Sequence, residues 1–251
     1  MIVLDKIGEA LAAYLTRSRH IHGASHPPTA QQLLDSLRPA DVLLVEGNSR
    51  VSLAIKYLTQ STWSHAVLYI GSQSDGRAIR ASNSFVEADL VDGVRLVGVD
   101  TYAGLNARIC RPVGLTESER DAVGRFAIER LGYRYDLKNI FDLARYLLPN
   151  PPVPTRWRRR MIALGSGDPT RAICSTLIAQ AFQSVRYPIL PHVDFLPGNS
   201  AECPVCAQEI LSIRHHSLFA PRDFDVSPYF EIVKPTIGVD FDFHCLQWAP
   251  M

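Results

Sequence analysis

Cys174 and His65 are the side chains whose settings point to chemistry. Cys174 stands in Ile173-Cys174-Ser175-Thr176-Leu177-Ile178-Ala179-Gln180-Ala181-Phe182. With Leu177, Ile178, Ala181 and Phe182 it makes an i, i+3, i+4, i+7, i+8 set, the spacing of a helix with one buried face. Ser166, Gly167, Asp168 and Pro169 break whatever precedes, so the cysteine falls in that helix's first turn. A thiol there feels the positive end of the helix dipole and unpaired backbone N–H groups, and both favour the thiolate. His65 stands in Trp63-Ser64-His65-Ala66-Val67-Leu68-Tyr69-Ile70-Gly71, a polar pair feeding a β-branched and aromatic run that stops at a glycine. That pattern predicts a buried strand with the imidazole at its start. Taken singly, such a cysteine is a small buried hydrophobe and such a histidine a structural hydrogen-bonding residue. Taken together, a thiolate and a base are the parts of a nucleophilic site.

A base of this kind needs a third group to fix its ring. Glu87, in Phe85-Val86-Glu87-Ala88, stands on one of the next strands after His65, where a carboxylate could reach the imidazole. Asp89 and Asp92 follow closely, and spacing alone hardly separates the three.

The elements that must carry these residues follow from periodicity. Ile2, Leu4, Ile7, Leu11, Tyr14 and Leu15 predict an amphipathic helix over residues 3–17. Arg19-His20-Ile21-His22 and Ser25-His26-Pro27-Pro28 form a histidine-rich loop, after which Thr29 caps a short helix through Leu37. Val42-Leu43-Leu44-Val45 is a buried strand, Val51 to Thr59 a helix, and the histidine strand comes next. Short strands are expected at Ala78–Ala81, Phe85–Ala88, Val94–Val99 and Ala107–Val113. Thr116 with Glu119 makes a capping box for a helix to Leu131. Residues 137–148 present a broad apolar face, the proline-rich run 149–154 ends it, and Arg156, Arg158, Arg159 and Arg160 surround Trp157. The tail closes on a strand, Phe230 to Val233.

Composition excludes several classes. With 47% hydrophobic and 20% charged residues the 251-residue chain is that of an ordinary globular protein, not a disordered one. A net charge of +1 gives no electrostatic basis for nucleic-acid binding. No stretch reaches the roughly 20 apolar residues of a membrane span. Asp5, Lys6 and Glu9 interrupt what would be the core of a secretory signal, so a cytoplasmic location is the expectation. The five cysteines, Cys110, Cys174, Cys203, Cys206 and Cys245, are odd in number and not spaced as a disulfide framework, in keeping with a reducing compartment. Cys203-Pro-Val-Cys206 is half of a zinc site that His215, His216 or Cys245 could complete, but the spacing matches no familiar finger. No metal or other cofactor is therefore assigned, with Cys203, Cys206, His215 and His216 kept as weak metal candidates.

Several of these segments together resemble a known family. Pro39-Ala-Asp41-Val-Leu-Leu-Val-Glu-Gly47 opening onto a short helix, Trp63 to Gly71, Val86-Glu87-Ala88 before Gly93-Val94, and Ile173 to Ile178 look like the permuted papain-like amidases of the YiiX/YaeF type. These are relatives of NlpC-type cell-wall peptidases and of lecithin:retinol acyltransferase. In the permuted branch the order along the chain is histidine, third polar residue, cysteine, as here. The resemblance covers about residues 38–186. It implies an α+β, circularly permuted papain-like (NlpC-like) fold, with an antiparallel sheet or half-barrel packed against helices. The corresponding organisation is an N-terminal helical extension at 1–37, a catalytic domain at 38–186 and a C-terminal extension at 187–251 packed on the same domain.

By the same resemblance Cys174 is the nucleophile, His65 the general base and later acid, and Glu87 the group that orients the ring. Tyr69 and Tyr135 are candidates to line the substrate pocket. The implied activity is cysteine hydrolase chemistry on an amide or ester through a thioester, with a peptide, isopeptide, small molecule or lipid acyl group as substrate. An acyltransferase with the same triad, a lipid- or amine-binding module without turnover, and a zinc protein are the competing expectations. The N-terminal helix, the 137–148 face and the arginine cluster lean toward peripheral membrane contact.

Overall fold

The computed structural model describes residues 27–71, 84–89, 92–133, 173–197 and 207–235. The expected helix at 3–17, the histidine loop, the strand at 78–81, the 137–148 face, the arginine cluster, Tyr135, Cys203, Cys206 and Cys245 lie outside them. The described elements begin with α1 (Ala30–Ser36), β1 (Val42–Val45), α2 (Arg50–Thr59), β2 (His65–Gly71), β3 (Ser84–Asp89), β4 (Gly93–Gly98) and β5 (Ala107–Pro112). They continue with α3 (Glu117–Ile128), α4 (Ile173–Ser184), β6 (His192–Pro197), β7 (Ala207–Ser212), α5 (Pro221–Asp225) and β8 (Phe230–Val233). Helical turns of the tighter 3-10 type occupy Val99–Thr101 and His216–Leu218.

Six strands form one antiparallel sheet in the order β4-β3-β2-β1-β5-β8, and β6 pairs with β7 in a separate ribbon. The fold class is α+β. Every strand of the central hairpins runs against its neighbour, and the alternation of side chains divides two cores. On one face Ala66, Leu68 and Ile70 of β2, with Leu44 and Val86, pack under Leu177, Ile178, Ala181 and Phe182 of α4 and Val123 and Ala127 of α3. On the other face Leu43, Val67, Tyr69, Phe85 and Ile109 pack against Leu33 of α1 and against Val99 and Tyr102. The near-continuous apolar runs of β1 and β2 follow from this double cover.

Local chemistry starts the helices where the sequence says it should. The Thr29 hydroxyl accepts from the Gln32 N–H (3.2 Å) while the Gln32 side chain accepts from the Thr29 N–H (2.9 Å). Thr116 and Glu119 repeat this box at α3. The strand expected to run through Val99 instead stops at Gly98, and the 3-10 turn that replaces its end carries Tyr102 into the core. Helix α3 closes at Ile128 rather than Leu131, and the β6–β7 ribbon and α5 were not anticipated. Helix α5 has a readable start all the same: Pro221 occupies its first turn and Asp223 accepts from the Ala220 N–H (2.9 Å).

Buried charge ties the sheet to its flank. Asp41, 1% exposed, takes Arg111 Nε on one oxygen (3.1 Å) and Arg111 Nη2 and the Arg38 N–H on the other (2.8 Å each). Arg111 also donates to the Ser36 carbonyl at the end of α1. Burial pushes the Asp41 carboxyl pKa up, with Arg111 opposing it.

Phe182, fully buried, meets Phe230 edge-on at 5.3 Å between ring centres and Tyr187 at 5.5 Å, joining α4 to β8. Replacing it with alanine is expected to lower unfolding stability by about 3–5 kcal/mol in urea denaturation. A loss under about 1 kcal/mol would show that the helix is not anchored there.

Candidate active site

Helix α4 lies across one face of the sheet, and its first turn reaches the start of β2. Cys174 is the second residue of α4 and His65 the first of β2. The two side chains lie close enough to stabilise each other's charge, and the backbone N–H of Ala66 also favours a charged sulfur. The Ser175 hydroxyl stands 3.9 Å from the same atom. Cys174 is 5% exposed, whereas the His65 side chain keeps 26% of its surface open.

The other ring nitrogen, Nε2, lies 2.8 Å from Glu87 Oε2. Strand pairing explains how Glu87 reaches it. Leu68 faces Val86 and Tyr69 faces Phe85, so continuing that register sets Glu87 beside Val67, two residues along the same face from His65. Diagonal neighbours of this kind are within reach of long side chains.

Glu87 is 5% exposed and accepts from three donors. Besides His65, the Tyr102 hydroxyl donates to Oε2 (2.5 Å) and Arg95 Nε to Oε1 (2.8 Å). Arg95 stands directly opposite Glu87 in the β3–β4 register. A carboxylate surrounded by donors has no need of its own proton: although burial works against its charge, His65, Tyr102 and Arg95 bring its pKa down to about 2. An ionised Glu87 can only accept, so Nε2 of His65 must carry hydrogen and Nδ1 faces the thiol.

The electrostatics of the pair follow. Burial disfavours the charged imidazole, but the Cys174 sulfur and the Glu87 carboxylate outweigh it and push the His65 pKa up to about 10. Burial likewise disfavours the thiolate, and His65, the Ala66 N–H and Ser175 overcome it, so the Cys174 pKa falls below its ordinary value. Both shifts favour a thiolate–imidazolium pair, and the helix start adds its own positive potential in the same direction.

The residues around the site hold the entrance to β2 in place. Ser64 Oγ accepts from the Gly47 N–H (2.9 Å), and the Ser64 N–H donates to the Val45 carbonyl (3.1 Å). A Cβ at Gly47 would stand 2.3 Å from Ser52 Oγ, so only glycine lets the loop after β1 lie this close to α2. Trp63 Nε1 donates to Asp225 (3.1 Å), which Arg108 also engages (2.6 Å) while lying 5.0 Å from the Trp63 ring centre.

Of the residues singled out from sequence, Cys174, His65 and Glu87 come together. Asp89 and Asp92 both pair with Arg95, Asp89 at 3.9 Å. Tyr69, expected to line a pocket, is 5% exposed with its ring edge-on to Phe85 at 5.2 Å. It belongs to the core that includes Leu33 and Phe85, on the same row of β2 as His65. Of the weak metal candidates, His215 stacks on His216 (4.1 Å) and uses Nδ1 on Ser217 (2.8 Å) at the start of a 3-10 turn. Among the described residues no group of three His, Cys, Asp or Glu side chains is arranged to hold a metal. Arg95 and Tyr102 are the site residues that sequence reasoning missed. Alternation along Val94-Arg95-Leu96 could have flagged the arginine, but nothing local marks Tyr102.

No family model matches the chain, and no curated protein matches it. Among solved structures it is similar to the crystal structure of metalloprotein yiiX from Escherichia coli O157:H7, described as DUF1105. That likeness has a TM-score of 0.47 and 15% sequence identity, and covers 79% of this chain and 97% of the other. Among the described residues no helix is long and apolar enough to cross a membrane.

The reactivity of the two described cysteines separates cleanly on this geometry. Cys110 is fully buried on β5, where burial and the Asp225 carboxylate push its thiol pKa far up. Iodoacetamide at neutral pH is expected to modify Cys174 and spare Cys110, read by peptide mass spectrometry. In His65→Ala the apparent pKa of Cys174 is expected to climb to about 8.5 or above, the range of an unpaired thiol. Equal rates in wild type and variant would show that the two residues are not coupled.

Proposed function

We propose that this protein is a cysteine hydrolase with a permuted papain-like arrangement, cleaving an amide or ester through Cys174, His65 and Glu87. The observation that carries the reading is Cys174 set against His65, with Glu87 on the far ring nitrogen at 2.8 Å. A thiol and an imidazole from segments far apart in the sequence, brought together with both pKa values moved toward the ionised forms, are suited to nucleophilic catalysis. The order histidine, glutamate, cysteine along the sequence agrees with the permuted branch.

The chemistry follows from the positions. The thiolate of Cys174 adds to the substrate carbonyl carbon, forming the C–S bond and moving the C=O π pair onto oxygen. The resulting oxyanion lies near the first turn of α4, where the backbone N–H of Cys174 can donate to it. As the oxyanion collapses, the bond to the leaving amine or alkoxide breaks, and His65 Nδ1 delivers its proton to that group. A thioester remains, together with a neutral imidazole. His65 then takes a proton from water as the water oxygen attacks the thioester. Collapse of this second adduct expels the Cys174 thiolate, releases the acid and restores the ion pair. Glu87 stays ionised throughout and keeps Nε2 protonated, so Nδ1 is always the atom that moves the proton.

The substrate class is an acyl donor with an amine or alcohol leaving group. Incubation with an activated acyl ester such as p-nitrophenyl acetate, followed by acid quench and mass spectrometry, is expected to trap an acetyl group on Cys174. Cys174→Ser and His65→Ala should each lower release of the chromophore by at least about a hundredfold. The rate should rise as pH climbs through the lowered thiol pKa and, for an amide substrate, fall as His65 loses its proton near pH 10. Absence of any adduct, with Cys174 still accessible to alkylation, would reject the hydrolase assignment in favour of a binding module.

A further inference from the structure

A full carboxylate against an imidazolium is an ambivalent partner. It orients the ring and favours its charged form, but the more negative it is, the more tightly the ring keeps its proton. A general acid that holds its proton too tightly transfers it slowly. In this protein the carboxylate is not left alone with the histidine. Oε2 of Glu87 is shared between His65 Nε2 and the Tyr102 hydroxyl, and Oε1 is taken by Arg95 Nε.

We propose that Arg95 and Tyr102 are positioning residues that temper Glu87, drawing charge from its carboxylate so that it orients the His65 ring without trapping the proton. This deepens the hydrolase reading and rests on it for its catalytic meaning. Each donor is built to do so. Tyr102 is 4% exposed and its ring is held edge-on to Phe85, 5.4 Å away at 87°, which aims the hydroxyl at Oε2. A hydroxyl so buried must find an acceptor, and Glu87 is the one it has. Burial and the adjacent carboxylate keep it protonated, hence a donor. Arg95 comes from the next strand, in register with Glu87, and its cation offsets the carboxylate's charge. That offset is itself partial, since Asp92 and, at 3.9 Å, Asp89 draw on the same guanidinium.

Other charged groups at this end of the sheet, among the described residues, have partners of their own. Cys174 of α4 is the other half of the ion pair. Glu46, at the end of β1, is tied to Lys56 (2.9 Å) and Asn106 (2.9 Å), and Arg108 of β5 to Asp225.

The test is a nuclear magnetic resonance titration of the full chain carrying isotope-labelled histidine, with the His65 ring signals assigned by their loss in His65→Ala. Tyr102→Phe removes one oxygen and keeps the ring packing; Arg95→Gln removes the cation. In both, the His65 pKa is expected to rise by roughly half a unit to one unit, and its Nε2–H signal to move downfield as the carboxylate binds it more strongly. Arg95→Lys, which retains the charge, should keep the pKa near the wild-type value. If Tyr102 and Arg95 serve only to fill and brace the site, melting temperature falls while the His65 pKa stays put or drops, and the proposal is overturned. If one variant fails to fold, the other decides. The hydrolase reading fails separately, by Cys174 reacting as an ordinary thiol or forming no acyl adduct; an unmoved His65 pKa beside a reactive Cys174 rejects only the tempering role.

Discussion

The site depends on one buried carboxylate being fully satisfied. Glu87 is withdrawn from water, and an ionised group in that position is tolerated only when its lone pairs are taken. His65, Tyr102 and Arg95 take them from three separate elements: the start of β2, the turn after β4 and the middle of β4. Because Glu87 cannot donate, the ring proton is fixed on Nε2, the basic nitrogen is fixed toward Cys174, and the thiolate gains a cation beside it. Remove the carboxylate and each of those consequences weakens in turn.

Glu87 reaches His65 only because β2 and β3 pair in one register. Side chains alternate with a period of two, so a slip of one residue would turn Glu87 to the opposite face, under α4, and bring an apolar neighbour to the imidazole. The pairing does shift by one residue further along, between Tyr69 and Gly71. Gly71 has a φ of 66°, and a side chain there would be strained as well as tight against Pro39, at 3.1 Å. The irregularity therefore falls beyond the stretch that holds the site, at a residue type able to absorb it. The two faces of the sheet have different duties. One seats α4 and so sets the height of Cys174, and the other carries His65, Glu87 and the aromatic pair Phe85 and Tyr102.

Much of this was legible from the chain. Strand β1 and the histidine strand are strongly apolar runs with clear punctuation, and α4 has an unambiguous helical stripe, so their types and near-exact limits could be read. The same periodicity put His65 and Cys174 at element ends. What could not be read was the choice among Glu87, Asp89 and Asp92, since that requires the β2–β3 register, a property of two strands and not of either. Tyr102 was hidden for a related reason: the run Val94–Val99 looked like one strand, and the turn that breaks it at Val99 and aims the tyrosine inward is imposed by packing on α1.

The central claim is that Cys174 rests as a thiolate because Glu87 holds His65 as an imidazolium. The most direct measurement is the ultraviolet absorbance of the thiolate as a function of pH, taken as the difference between wild type and Cys174→Ser, and repeated with Glu87→Gln. The account predicts a thiolate signal that persists well below pH 8.5, the neighbourhood of an ordinary thiol, and that shifts to higher pH when the carboxylate becomes an amide. A signal that appears only at or above that pH, or one that Glu87→Gln leaves in place, would contradict it.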